Sequence, residues 1–169
     1  MSTKNHFIPE HLEDEKQGLE VRVDTNAAHV KLSNCFTINY WRWSKLTTVK
    51  WKEENEETEI KETVPRIVSQ GLRVFLSNRK TILTSLTINS KLLKAEIQNQ
   101  ISTAMENGLK LRNNPLQVKI VQFDVLDTEQ VIALLKYMDP EVLTSIRFDS
   151  PDINKVINIQ SWFNGEIFL

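Results

Sequence analysis

The stretch Leu83-Thr84-Ser85-Leu86-Thr87-Ile88 decides the fold prediction, because its spacing of apolar residues recurs in three other places. Its first, fourth and sixth residues are apolar, and the same is true of 46–51, 118–123 and 143–148. The copies start roughly 25 to 40 residues apart, a period typical of stacked units that each leave one apolar face for a neighbour to cover.

Helical patterns lie between these copies. Residues 64–76 place six apolar side chains on one face of a helix, and similar stripes occur in 93–105 and 131–138. Pro65 suits a first helical turn, and Gly108 is expected to end the second helix. Strands that alternate with helices predict an α/β fold, here a leucine-rich-repeat-like solenoid of parallel strands with helices along one side.

The chain divides into a lead-in and one domain. Residues 1–18 are polar and predicted to be disordered, whereas 19–169 are predicted to form a single α/β repeat domain. Within it, alternation over 19–45 predicts a small β meander of three strands, and 46–169 the strand–helix repeats. Trp41 and Trp43 are expected to be buried where the two parts meet. The charged run 52–59 is predicted to be a solvated loop. The apolar end 167–169 is typical of the opening of a further strand, which indicates either truncation at the C-terminus or pairing of this segment with something else.

Composition favours an intracellular protein, cytoplasmic or nuclear, that does not bind nucleic acid or membrane directly. The formal net charge is −1 with 25% charged residues, which gives no overall attraction to polyanions. A single cysteine, Cys35, excludes an internal disulfide framework. The dispersed glycines do not form a phosphate loop, and His6, His11 and His29 lack metal-ligand spacing. We therefore expect no enzyme activity and no cofactor.

Candidate binding residues follow from the predicted solenoid. Three apolar positions of each strand face the helices, so the residues between and just after them line the open face of the sheet, where a protein partner is expected to bind. The predicted partner-binding residues are Lys50, Lys52, Thr87, Asn89, Gln122, Asp124, Arg147 and Asp149.

The segment 115–162 resembles the nematode F-box-associated FTH family. The resemblance is carried by Leu116-Gln117-Val118-Lys119-Ile120, by the block 131–143 with its Leu-Leu-Lys-Tyr helix and proline turn, and by Ile159-Gln160-Ser161-Trp162. The alternation from about Leu19 onward is similar to the region that follows the F-box in that family. The residues flanking Trp162 differ from the usual motif, and no F-box module is recognisable in 1–18.

The resemblance implies a non-enzymatic protein–protein interaction module, the target-recognition region of an F-box-type ubiquitin-ligase adaptor. A Skp1-type ligase subunit is then an expected partner only if an F-box is supplied upstream. The alternative is a scaffold in post-transcriptional regulation that acts through an RNA-binding protein. The identity of the target stays open.

Overall fold

The computed structural model describes residues 17–33, 36–51, 57–78, 82–90, 93–124 and 128–149, apart from the side chains of 128, 148 and 149. The predictions for residues 1–16 of the lead-in, for Cys35 and for the segment 150–169 lie outside the described residues. Gln17 and Gly18, which were predicted to be disordered, belong to the first strand. In chain order the described elements are β1 (Gln17–Val23), β2 (Ala27–Leu32), β3 (Phe36–Trp43), β4 (Leu46–Trp51), β5 (Glu57–Ile60), α1 (Val64–Ser77), β6 (Ile82–Asn89), α2 (Ala95–Lys110), β7 (Gln117–Asp124), α3 (Thr128–Leu135) and β8 (Ser145–Asp149).

The strands form one eight-stranded mixed sheet in the order β5-β4-β3-β2-β1-β6-β7-β8. Strands β1 to β5 make an antiparallel meander, in which each strand pairs with the next along the chain. Strand β1 pairs on its other side with β6, and β6, β7 and β8 follow in parallel. The mixed α/β class and the N-terminal meander are therefore confirmed, and the meander is longer than predicted.

Three copies of the repeated spacing are neighbouring rungs of the parallel part. Leu86 lies opposite Val121, which lies opposite Ile146. The register of β1 and β6 shifts at the start of the pairing, where Gln17 faces Leu83 but Gly18 faces Ser85. This shift is a β-bulge, in which β6 has one residue more than β1. The bulge brings Leu83 and Leu86 to the same face although two residues, and not one, separate them.

The copy at 46–51 is not a rung of the parallel part. Strand β4 is antiparallel to both of its neighbours, and its register is uninterrupted. Residues three apart in a regular strand face opposite sides, so Val49 is 1% exposed whereas Leu46 is only half-buried on the other face. Strand β1 occupies the place beside β6 that the solenoid prediction gave to 46–51. The described residues thus form a mixed sheet and not an array of parallel repeats from residue 46 onward.

The predicted loop 52–59 is also partly wrong, because 57–60 pair with β4 as an edge strand. Thr58 lies opposite Val49, and Lys50 Nζ bonds Glu57 Oε1 at 3.1 Å. Charged side chains and a length of four residues are common in edge strands, because both discourage further pairing.

One apolar core joins the helices to the inner face of the sheet. Helix α1 buries the predicted stripe of Val64, Ile67, Val68, Leu72, Phe75 and Leu76, and Pro65 lies in its first turn. This helix packs over β1, β2 and β3. The stripes of α2 and α3 contribute Ile101, Met105, Val131, Leu134 and Leu135 to the same core.

Gly108 serves close helix packing and does not end α2, which continues to Lys110. A Cβ atom at this position would lie 2.6 Å from the carbonyl oxygen of Arg73 in α1. Backbone atoms of the two helices are therefore nearly in contact here, and any larger side chain would separate them.

Glu106 links α2 to the residues that follow α3. Its Oε1 lies 3.1 Å from Lys110 Nζ and 3.4 Å from Lys136 Nζ, and it accepts a hydrogen bond from Tyr137 Oη at 3.5 Å. The hydrogen bond from Lys110, followed by that from Lys136, lowers the pKa of the Glu106 carboxyl below its ordinary value.

We predict that Leu86→Asp lowers the free energy of unfolding by more than about 3 kcal/mol, because it leaves an unpaired charge in the core. Leu86 is 0% exposed, whereas the adjacent Thr87 lies half-buried on the opposite face. Thr87→Asp is the control and should cost less than about 1 kcal/mol. Urea denaturation followed by circular dichroism measures both, and equal losses would contradict the assignment of faces.

We predict that Glu106→Gln weakens the loss of stability in acid. The folded-state pKa of Glu106 is depressed, so its contribution is present above the pKa of the unfolded chain and is lost as the pH falls through the folded-state pKa. The wild type should therefore lose its advantage over Glu106→Gln as the pH falls below the ordinary pKa of a glutamate, about 4.3, as judged by melting temperatures. An advantage that persists at low pH would contradict the ion-pair assignment.

Candidate interaction face

The face of the sheet opposite the helices carries an unbroken row of polar residues, one from each strand. Residues directly opposite each other on neighbouring strands share a face, so the pairing register defines this row. We call it the polar row, and across the sheet it consists of Glu57, Lys50, Asn39, His29, Arg22, Asn89, Asp124 and Asp149.

Hydrogen bonds connect several neighbours in the polar row. The Nδ1 atom of His29 lies 2.9 Å from Asn39 Oδ1. Across β6 and β7, Asn89 Nδ2 donates to Asp124 Oδ2 at 2.9 Å. The other carboxylate oxygen of Asp124 accepts a bond from Gln122 Nε2 at 3.2 Å. Bonds of this kind restrict side-chain rotamers, so the polar row presents a partly ordered surface.

The structure brings together most of the predicted binding residues of the parallel strands. Asn89, Gln122 and Asp124 form the hydrogen-bonded group just described. Thr87 lies opposite Gln122, which lies opposite the exposed Arg147. These placements agree with the prediction that the residues share the open face.

The remaining predicted residues are placed differently. Lys50 shares the open face, but its strand is four positions from β6 in the sheet, which is roughly 19 Å at the usual strand spacing. Lys50 is therefore not the neighbour of Thr87 that the solenoid prediction required. Asp149 pairs through its backbone with Asp124, but its side chain lies outside the described atoms. Lys52 lies outside the described residues.

A cleft of about 500 Å³ lies beside the β1–β2 turn, and residues from both faces of the sheet line it, with Val23, Ala28 and Tyr40 from the core side. Four members of the polar row line it, together with Trp41 and residues at the β1–β2 turn. Those four are Arg22, His29, Asn39 and Asn89. Arg22, His29 and Asn39 are not among the predicted binding residues, although the alternation over 19–24 and 36–40 indicates the side of the strand on which Arg22 and Asn39 lie.

Trp41 and Trp43 also lie on the open face. Trp43 is 77% exposed and Trp41 is half-buried, so the prediction that both are buried is wrong for Trp43. The core side of β3 is filled by Phe36, Ile38 and Tyr40. Leu46 lies opposite Trp43 on β4. We call Trp41, Trp43 and Leu46 the tryptophan patch.

Two ion pairs lie on this face. Arg22 Nη2 lies 2.6 Å from Glu20 Oε1, and Lys50 Nζ lies 3.1 Å from Glu57 Oε1. Both ion pairs are well exposed, so they contribute little to stability and can be exchanged for contacts with a partner. Beneath the face, burial raises the pKa of the Tyr40 phenol, which keeps this lining residue of the cleft neutral.

Within the part of the chain that the structure describes, His, Cys, Asp and Glu do not cluster in a way that could hold a metal ion. Nor does any described helix have the length and apolar character needed to cross a membrane.

Residues 99–168 match the family model described as FTH domain. The match starts within α2, includes β7, α3 and β8, and overlaps the segment 115–162 on which the sequence resemblance was based. It supports the FTH-type part of that resemblance. Gln122, Asp124 and Arg147 fall inside the match, whereas Lys50, Thr87 and Asn89 precede it. No curated protein and no solved structure matches the chain significantly.

We predict that Trp43→Ser changes the free energy of unfolding by less than about 0.5 kcal/mol, because its side chain is mostly in solvent. Tyr40→Ser, three positions earlier on the core side of the same strand, should cost about 3 kcal/mol or more. Parallel urea titrations test both. A large loss for Trp43→Ser would show that the indole stabilises the fold and is not free to bind a partner.

Proposed function

We propose that this chain is a non-enzymatic protein-interaction module that binds a protein target with the open face of its sheet. The observation that carries the proposal is the combination of the polar row with the exposed tryptophan patch on the face that the described helices leave uncovered. The FTH-domain match over 99–168 supports the family context.

The composition of the face suits protein recognition. Tryptophan and arginine are enriched among residues that dominate protein–protein binding energies. Trp41 and Arg22 both line the cleft, and Trp43 lies next to it along β3. A partner side chain that fills the cleft would contact an indole and a guanidinium together, while hydrogen-bonded Asn39 and Asn89 offer polar atoms at its sides.

In the family context, the module would be the target-recognition region of an F-box-type ubiquitin-ligase adaptor. The nematode F-box association is itself part of this proposal. Contact with a Skp1-type ligase subunit would require an F-box upstream of the residues described here. Direct contact with nucleic acid is disfavoured by the net charge of −1.

A scaffold in post-transcriptional regulation is the second candidate, because the same face would serve to bind an RNA-binding protein. The two functions differ in the identity of the target and in the presence of a ligase subunit. Both assign target binding to the open face.

Affinity capture from cells of the native organism, followed by calorimetry with the purified target, tests the proposal. We expect Trp43→Ala to weaken the target complex at least about 30-fold, the effect of losing a central interface tryptophan. Arg22→Ala should also weaken it. Lys94→Ala is the control, because this exposed residue precedes α2 on the helical side.

A target that binds the wild type and Trp43→Ala equally would place the binding surface elsewhere and contradict the proposal. The ligase role has a separate test, which is capture of the chain with its natural upstream sequence. A Skp1-type subunit in that complex, with ubiquitin transfer to the target, is the expected result. A stable complex with an RNA-binding protein and no ligase subunit would favour the second candidate.

A further inference from the structure

A second groove lies on the opposite side of the molecule, between α1 and α2. Its volume is about 500 Å³, and almost every residue that lines it is polar. It extends from Arg66 and Glu96 near the N-terminal ends of the two helices to Arg73 and Asn107. Beyond Arg73 and Asn107, Gly108 brings α2 against the backbone of Arg73, so the two helices meet there and the groove ends.

Ser69 lies in the α1 wall of this groove and is only 4% exposed. Its Oγ is shielded from solvent and has no hydrogen-bond partner among the described residues. A buried hydroxyl without a partner costs roughly 1 to 3 kcal/mol relative to one that is satisfied. The fold therefore carries an unfavourable polar group at a position where alanine would fit equally well.

Arg73 follows Ser69 by one helical turn on the same side of α1. Its side chain is exposed, and within the described residues it forms no ion pair or side-chain hydrogen bond. Arg66, by contrast, is paired with Glu62 at 3.3 Å. The guanidinium of Arg73 is thus the unpaired cation of the groove, and its residue lies one helical turn from Ser69.

Helix α2 supplies further hydrogen-bond donors across the groove. Gln100, Thr103 and Asn107 recur at helical spacing along the same wall. None of the three has a side-chain partner within the described part of the chain. Donors from both helices therefore surround the space next to Arg73, where an acceptor of negative charge would be bound most favourably.

We propose that the groove between α1 and α2 binds a carboxylate side chain from an acidic segment of a partner protein. The carboxylate accepts hydrogen bonds from Arg73 and, after rotation of the Ser69 side chain about χ1, from the Ser69 hydroxyl. The amide and hydroxyl groups of α2 hold the flanking peptide. This site is separate from the open face, because the apolar core lies between the helices and the sheet.

The probe is a short peptide of alternating Glu and Ala, titrated into the ¹⁵N-labelled 169-residue chain and followed by amide chemical shifts. We expect the largest shifts in 66–73 and 99–107. The same peptide with Gln in place of Glu should produce much smaller shifts. Arg73→Gln should weaken binding roughly fivefold, the effect of losing one exposed charge pair of about 1 kcal/mol.

Ser69→Ala separates a binding role from a structural one. It should weaken binding of the Glu-containing peptide while leaving the melting temperature unchanged or raising it, because the removed hydroxyl has no partner in the fold. Arg22→Gln is the matched control, because it removes the same charge from the open face and should leave this affinity unchanged.

Equal shifts with the Gln-containing peptide, or insensitivity to Arg73→Gln, would overturn the inference. Shifts confined to the open face and abolished by Arg22→Gln would overturn it as well. The first two results do not bear on target binding by the open face, and the third would favour it, so this site and the proposed function can fail independently.

Discussion

The pairing of β1 with β6 is the interaction on which the rest of the structure depends. Strand β1 is first among the described strands and yet central in the sheet, with an antiparallel neighbour on one side and a parallel neighbour on the other. Its start is fitted closely to β6, because a Cβ atom at Gly18 would lie 2.6 Å from Ser85 Oγ. The Gly18 amide also donates to Ser33 Oγ at 2.7 Å. Both halves of the sheet are thus joined at one strand.

Local pattern predicted the parts of the fold whose periodicity is unambiguous. The stripe of α1 and the rungs at 83–88 and 118–123 lie where the sequence placed them, and β8 begins two residues after the start of the predicted strand 143–148. The same pattern failed at 46–51, because apolar residues three apart arise in two ways. A bulged strand brings both to one face, as in β6, whereas a regular strand such as β4 puts Val49 in the core and Leu46 on the open face. Whether a strand is bulged or regular depends on its register with the neighbouring strand. The spacing of apolar residues within one strand does not show which strand that neighbour is.

The candidate face shows the same division between local and non-local information. Alternation gave the side on which Thr87, Asn89, Gln122 and Asp124 lie, and their proximity followed from adjacent rungs. Arg22 belongs to the polar row because β1 lies beside β6. Asn39 and His29 belong to it because the meander continues from β1 through β2 and β3. Trp43 failed for a different reason, since the expectation of burial for tryptophan ignores that Tyr40 and Ile38 already fill the core side of β3.

Each of the two surfaces combines residues inside and outside the FTH match. The match supplies β7 and β8 to the open face and most of α2 to the groove. Residues before it supply Arg22, the tryptophan patch, Ser69 and Arg73. The hydrogen-bonded group of Asn89, Gln122 and Asp124 therefore has one member before the match and two inside it. The indoles, the Arg22 guanidinium and the His29–Asn39 pair lie upstream of the match. A chain that kept the matched segment and varied 17–77 would keep the parallel rungs and change its partner. Under the function proposed above, the choice of target would depend on the meander and α1.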